Sequence, residues 1–114
     1  MPYTIIGKNT MLDSLGVTHV SAHTADPGES GTNEVSGGSY TREAISFSAA
    51  SGGNLDSSTQ PQLNIPGTPT TVSHIGFWTA SSGGTFLGYK AITSETFNND
   101  GTLTITDADL DLNL

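Results

Sequence analysis

Three histidines are the residues with the clearest capacity to hold a metal ion: His19, His23 and His74. His19 and His23 fall on the same face of an expected strand, but strand geometry separates them by about 13 Å, too far for one ion. His74 could approach one of them from a neighbouring strand. Because no carboxylate stands at a recognisable ligand spacing, we expect no metal and no cofactor. The pattern favours partly buried or interface histidines.

The carboxyl-terminal segment alternates acidic and apolar residues. The aspartates are Asp107, Asp109 and Asp111, and the leucines are Leu110, Leu112 and Leu114. A calcium loop bends around a glycine and ends in glutamate, and this segment has neither feature. The alternation instead predicts a half-buried strand whose solvated acidic face discourages edge-to-edge aggregation.

Serine, threonine and glycine are abundant, yet they form no recognisable catalytic or phosphate-binding motif. No serine stands in a Gly-x-Ser-x-Gly elbow or in an identifiable Ser-His-Asp pattern. The Gly-Gly pairs at 37–38, 52–53 and 83–84 are not followed by Lys-Ser/Thr or by a helix, as a phosphate loop requires. Their backbone freedom predicts tight turns instead. The chain also has no cysteine nucleophile, and we expect it not to be an enzyme.

The 114 residues carry a net charge of −8, with Lys8, Arg42 and Lys90 as the cations. Without a basic patch to contact phosphates, nucleic-acid binding is not expected. No apolar run approaches transmembrane length and residues 1–10 lack the features of a signal peptide, so we expect cytosolic synthesis and no membrane partner. About a fifth of the residues are Leu, Ile, Val or Phe. That fraction predicts a thin core, completed by contacts with copies of the chain or with a partner.

Short alternations of apolar and polar residues, separated by turn signals, predict an all-β domain. Residues 1–16 are expected to form an amino-terminal arm with a short helical turn, capped by Asn9 or Thr10 and ended by Gly16. Residues 17–114 are expected to form an antiparallel β-sandwich or jelly roll of about eight short strands. The expected strands include 17–24, 40–48, 62–65, 71–79 and 85–92, with 95–97 either continuing the last of these or standing apart.

Residues 71–79 form the strongest expected strand, and its apolar character on both faces predicts a central position. One face is expected to carry Val72, His74, Gly76 and Trp78, and the other Ser73, Ile75 and Phe77. Residues 62–65 are flanked by prolines, which predicts an edge strand or an extended crossing segment.

Seven aromatic side chains stand singly on or beside the expected strands. They are Tyr40, Phe47, Phe77, Trp78, Phe86, Tyr89 and Phe97. Such rings could form a carbohydrate-stacking surface, but this distribution is more typical of the core of a small β domain.

Two stretches carry a resemblance to a known family. They are HVSAHTADPG at 19–28 and NEVSGGSYTR at 33–42, followed by Ile45-Ser-Phe47. This arrangement resembles a family of small virion proteins of tailed bacteriophages and prophages, and SHIGFW at 73–78 and LGY at 87–89 also fit. The resemblance implies a structural role in the virion and carries no catalytic residues. Members of such families are described as tail-fibre, minor structural or capsid decoration proteins.

A capsid decoration (cement) protein is the leading functional prediction. It would form a homo-oligomer, a dimer or trimer, on the outer capsid surface and bind the major capsid protein, after synthesis in the host cytoplasm. Small size, acidity, a single compact domain and the lack of fibrous repeats favour this role. The alternative is a small tail-fibre or baseplate protein that binds a host-surface glycan. A free carbohydrate-binding or hydrolytic domain is a third, less favoured reading.

Two segments are expected to bind the partner, because neither can be stable in isolation. The first is the amino-terminal segment, with Lys8, Met11, Leu12 and Leu15. The second lies around an expected arm at 29–39 and includes Glu34, Val35, Tyr40 and Arg42. Residues 34–40 are expected to leave the body of the domain. Arg42, as one of few cations, is expected to pair with a carboxylate.

Overall fold

A short helix and eight strands form the described part of the chain, which is residues 3–106 and 109–111 of a computed structural model. In chain order they are α1 (Ile5–Asp13), β1 (His19–His23), β2 (Glu43–Ala44), β3 (Asn54–Asp56), β4 (Gln62–Ile65), β5 (Thr70–Trp78), β6 (Phe86–Phe97), β7 (Gly101–Thr104) and β8 (Asp109–Asp111). One antiparallel sheet has the order β2-β1-β5-β6, while β3 pairs with β8 and β4 with β7. The predicted all-β antiparallel sandwich with a short amino-terminal helix is confirmed.

The hydrophobic core brings the four-stranded sheet together with the β4–β7 pair. Leu63 on β4 and Leu103 on β7 are directly opposite each other, and both are buried. The β4–β7 pair therefore contributes an apolar face to this core. The core residues are Val20, Ala22, Val35, Ile45, Leu63, Ile65, Val72, Ile75, Phe77, Phe97, Leu103 and Ile105.

The helix begins earlier than the sequence predicts. Thr4 caps α1, and its Oγ1 accepts the backbone N–H of Gly7 at 3.1 Å. A threonine at this position satisfies one of the N–H groups that the first helical turn leaves unpaired. Asn9 and Thr10, the predicted caps, lie inside the helix, so that prediction is wrong.

Side chains of α1 attach it to the segment around β3. Asn9 Oδ1 accepts the backbone N–H of Gly53 at 2.9 Å, and Asp13 Oδ1 accepts that of Ala50 at 2.8 Å. Leu12 is buried, at 1% exposure. Since a helix of 9 residues is not stable by itself, these contacts keep it folded.

Two predicted strands agree closely with the structure. The expected strand 71–79 is β5, which lies between β1 and β6 in the sheet. The expected edge strand 62–65 is β4, in a two-stranded sheet. Residues 95–97 continue β6. All six glycines of the three Gly-Gly pairs have positive φ, which confirms the predicted turns.

The expected strand 40–48 is mostly absent. Only Glu43–Ala44 pairs with β1, and Phe47 makes an isolated bridge with Ser57. The chain leaves the edge of β1 after Val35 and turns at Gly37, which has a φ of 96°. The ladder therefore resumes only at Glu43.

A bulge changes the faces of β5. The register with β6 shifts between Val72 and His74, so Val72 joins Ile75 and Phe77 in the core. The prediction that Val72 shares a face with His74 is wrong, because a bulge breaks the two-residue alternation. His74 and Gly76 lie on the opposite face, where a Cβ at Gly76 would meet Ser21 and His23 of β1.

Part of the predicted acidic tail lies outside the described residues. Asp107, Leu112 and Leu114 are among those positions, and of 109–111 the backbone pairing with β3 is defined. Among the described residues, no helix has the length and apolarity needed to span a membrane.

Candidate functional site

The stretch from Glu34 to Arg42, the most specific motif of the sequence, folds back onto β1. Glu34 forms a β-bridge with His23, and the N–H of Val35 donates to the carbonyl of Ala22 at 2.9 Å. Val35 is 5% exposed and belongs to the core. The prediction of an arm that leaves the body of the domain is therefore wrong, because burial of Val35 and pairing with β1 hold the segment down.

Tyr40 fills the gap in the ladder where the chain has left β1. Its hydroxyl accepts the N–H of Ala22 at 3.0 Å and donates to Glu34 Oε2 at 2.7 Å. This satisfies a backbone donor that the missing strand would otherwise have paired. Burial of the ring, together with the negative charge of Glu34, raises the pKa of Tyr40 above its usual range, so the phenol stays neutral.

Glu34 and Arg42 form a two-pronged ion pair. Arg42 Nε donates to Glu34 Oε2 and Nη2 donates to Oε1, each at 3.0 Å. The predicted pairing of Arg42 with a carboxylate is confirmed. The side chain of Arg42 is 10% exposed and that of Glu34 is 23% exposed, so the pair is largely shielded from water. Burial opposes the charge of Glu34, but hydrogen bonds from Arg42 and Tyr40 outweigh it and lower the pKa of this carboxyl.

Arg42 also joins the end of β5 to the β5–β6 turn. Its guanidinium carbon lies 3.5 Å from the ring centroid of Trp78, in a cation–π contact. Nη1 donates to the carbonyls of Ala80, at 3.2 Å, and Gly83, at 2.9 Å. Contacts of four residues therefore hold the 34–42 segment against β1 and against the end of β5 with the turn that follows it. We call Glu34, Tyr40, Arg42 and Trp78 the clamp.

A serine–histidine pair lies next to the clamp, on the face of β1 away from the core. Ser21 Oγ is 2.6 Å from His23 Nε2, and His23 Nδ1 is 2.7 Å from the carbonyl oxygen of Thr32. Trp78 Nε1 donates to Ser21 Oγ at 2.8 Å. This resembles the contact of a nucleophile with its base. Sequence reasoning missed the pair, although Ser-x-His on one strand places both side chains on the same face.

Burial decides against a nucleophilic role for this pair in the conformation seen. Ser21 and His23 are both 0% exposed, and the indole of Trp78 engages the serine oxygen. A substrate therefore has no path to Ser21 Oγ. That the protein is not an enzyme stays a prediction.

The histidines come together only in part. His23 and His74 are directly opposite on β1 and β5, as the sequence suggested, while His19 lies at the other end of β1. Within residues 3–106 and 109–111, no group of three or more metal-ligating side chains is close enough to hold an ion. The hydrogen bonds of His23 occupy both of its ring nitrogens.

The predicted partner-binding residues divide into two places. Glu34, Val35, Tyr40 and Arg42 converge at β1 and β5, whereas Lys8, Met11, Leu12 and Leu15 lie on or just after α1, which packs against β3. Leu12 and Val35 belong to the chain's own interior, so their side chains leave little surface for a partner. Lys8, Met11 and Leu15 are half-buried.

Four large apolar side chains are exposed, and three of them, at the start of α1, were not predicted as candidate surface residues. Tyr3, Ile5 and Ile6 are 44%, 56% and 79% exposed at the start of α1, and Tyr89 is 45% exposed on β6. The signal was an apolar pair in the first helical turn. The predicted helical turn starts only at its cap, Asn9 or Thr10, and therefore does not include this pair.

A family model described as podophage GP4 fiber I protein gp80 matches residues 6–113. The chain belongs to this family. The match to the fiber I family covers nearly the whole chain, from the first turn of α1 through β8. It confirms the expectation of a phage virion structural protein family. No curated protein matches the sequence.

In this member of the fiber I family, the contribution of the clamp to stability can be tested by replacing Arg42. We expect Arg42→Ala to lower the free energy of unfolding by about 3 kcal/mol, because Glu34 would keep a poorly solvated charge without its partner. Arg42→Lys should be intermediate, since lysine keeps the charge but not the two-pronged geometry. Chemical denaturation followed by circular dichroism measures both.

Lys90→Ala is the matched control, because Lys90 is a half-buried cation on β6 outside the clamp. It should change stability by no more than about 0.5 kcal/mol. Equal effects of Arg42→Ala and Lys90→Ala would contradict the role given to Arg42.

Proposed function

We propose that this chain is a structural subunit of a phage fibre, located on the tail side of the particle and involved in contact with the host surface. The observation that carries the proposal is the match of residues 6–113 to a podophage fiber protein family. The sequence analysis left two locations possible, the capsid surface as the leading prediction and the tail fibre as the alternative. The family description supports the fibre, which was the alternative reading.

The physical character of the domain is compatible with a passive building block. The described chain is elongated, with principal extents of 46 × 26 × 25 Å. The charged groups of the clamp are paired with each other, and Ser21 and His23 are buried in the conformation seen. Small size, acidity and a single domain, which favoured a decoration protein, suit a fibre subunit equally well. They therefore do not discriminate between the two locations.

The start of α1 is the best-supported place for contact with a neighbouring subunit. Tyr3, Ile5 and Ile6 cluster in sequence and remain well exposed, and contiguous apolar patches on small proteins are often functional. Each copy carries a charge of −8, so copies repel one another at long range. Apolar contacts are the means by which such copies associate. The neighbour we propose is a second copy of this chain, in a dimer or trimer.

Copy number in purified virions distinguishes the fibre from the capsid. Quantitative mass spectrometry with labelled peptides of this chain should give a copy number comparable to that of other tail proteins. Gold-labelled antibodies should mark the tail side of the particle. A copy number comparable to that of the major capsid protein, with labelling over the whole shell, would overturn the fibre proposal and favour capsid decoration.

The proposed subunit contact is tested by replacing Ile5 and Ile6 with serine. Both side chains are exposed, so we expect the free energy of unfolding of the isolated domain to change by no more than about 0.5 kcal/mol, as for ordinary surface substitutions. Self-association, measured by sedimentation velocity, and incorporation into particles should both fall.

Tyr89→Ser serves as the control, since Tyr89 is also an exposed large apolar residue, at 45%, and lies on another element, β6. It should leave self-association unchanged. If the Ile5/Ile6 variant associates and assembles like the wild type, the patch at the start of α1 is not the contact.

A further inference from the structure

Residues 25–33 cover the face of the large sheet that points away from the core. We call this segment the flap. Pro27 is fully buried, and at Gly31, where φ is +75°, a Cβ would lie 2.6 Å from the Trp78 ring and 2.9 Å from Phe86. Only glycine permits so close an approach of the backbone. The flap is therefore seated directly on two aromatic rings.

His23 links the sheet to the flap. Its Nδ1 lies 2.7 Å from the carbonyl oxygen of Thr32, near the end of the flap, and the imidazole is 0% exposed. The end of the flap is also held to Thr24, the residue that follows β1, by a backbone bond from the Thr24 N–H to the Asn33 carbonyl at 3.0 Å. The clamp begins at Glu34. His23 is thus a buried titratable side chain in direct contact with the flap.

The neighbours of His23 define its protonation state. The indole N–H of Trp78 can only donate, so Ser21 Oγ accepts it. The carbonyl of Thr32 can only accept, so Nδ1 of His23 carries a hydrogen. Nε2 is then left to accept the hydroxyl hydrogen of Ser21. Each donor and acceptor in this row of hydrogen bonds, from the indole of Trp78 to the carbonyl of Thr32, is satisfied when the imidazole is neutral.

Protonation breaks this arrangement. A hydrogen on Nε2 would face Ser21 Oγ, whose own hydrogen would have to turn away into a buried region. A buried donor without a partner is costly. Burial is the main cause that lowers the pKa of His23, and the charges of Arg42 and His74 act in the same direction. The carbonyl of Thr32 and the charge of Glu34 oppose it without reversing it.

We propose that His23 is an acid-sensitive latch: proton uptake on its imidazole releases the flap and uncovers the aromatic surface of Trp78 and Phe86. These rings lie 5.0 Å apart, and Phe86 stacks in parallel with Tyr89 at 6.4 Å. Because Tyr89 is already exposed, release of the flap would extend a small aromatic surface into a continuous one. The latch does not depend on where in the particle the chain lies.

The direction of the pH dependence follows from linkage. The pKa of His23 is below its usual 6.5 while the flap is closed, so the open state binds the proton more readily. The closed flap is fully favoured above pH 6.5 and loses stability as the pH falls through that value toward the lowered pKa. Between the two pKa values, the ratio of open to closed flap rises by up to about tenfold per pH unit. Glu34 stays ionised in this window, because its pKa is lowered as well.

Trp78 is the chain's single tryptophan, so its fluorescence reports on the flap directly. On acidification from about pH 8 to about pH 5, around the ordinary histidine pKa, we expect its emission to shift to the red and acrylamide quenching to increase. Far-UV circular dichroism of the sheet should change only at lower pH. His23→Gln, which cannot take up a proton in this range, should abolish the transition. His19→Gln and His74→Gln should retain it.

Amide exchange in the wild-type chain gives a second readout if His23→Gln does not fold. Protection of the Thr24 amide, which bonds to the flap, should fall in this window while the core amides of β5 stay protected. The latch is wrong if tryptophan emission changes only when the whole domain unfolds. It is also wrong if the transition persists in folded His23→Gln, or if all amides lose protection together.

Discussion

The ion pair between Glu34 and Arg42 is the constraint on which the rest of this structure depends. A charge taken out of water must be paired and hydrogen-bonded, and here each carboxylate oxygen and every nitrogen of the guanidinium has a partner. Satisfying these groups draws the 34–42 segment, the end of β5 and the β5–β6 turn to one place. Tyr40 then completes the edge of β1, and Arg42 shields Trp78. The 34–42 motif, which in the sequence indicated only a family, thus holds these parts of the fold together.

The clamp and the flap also explain how a chain with few large apolar residues forms a folded domain. β1 is buried on both faces: Val20 and Ala22 enter the core, while Ser21 and His23 lie beneath the flap. The flap thereby adds a second, partly polar interior to the thin core that the composition predicts. The flap therefore buries part of the sheet surface that the sequence analysis expected neighbouring copies or a partner to cover. The start of α1, where we propose the subunit contact, stays exposed.

Sequence periodicity predicted the elements whose pattern is local. β4, β5 and the glycine turns follow from alternation and backbone freedom, which neighbouring residues determine. The bulge after Val72, the early cap at Thr4 and the return of Val35 to β1 were missed. The bulge and the return of Val35 depend on partners far away in the sequence. The sequence predicted that Arg42 pairs with a carboxylate. That the guanidinium of Arg42 lies over the Trp78 ring could not be predicted, because the folded sheet brings the two residues together.

The central claim is that Glu34 and Arg42 act as one unit, and a double-mutant cycle measures this directly. Unfolding free energies are needed for the wild type, Glu34→Ala, Arg42→Ala and the double variant. Residues in one buried, hydrogen-bonded network are non-additive, and we expect a coupling energy above about 1.5 kcal/mol. A coupling energy within about 0.5 kcal/mol of zero would show that the two residues stabilise the fold independently, and would contradict the account.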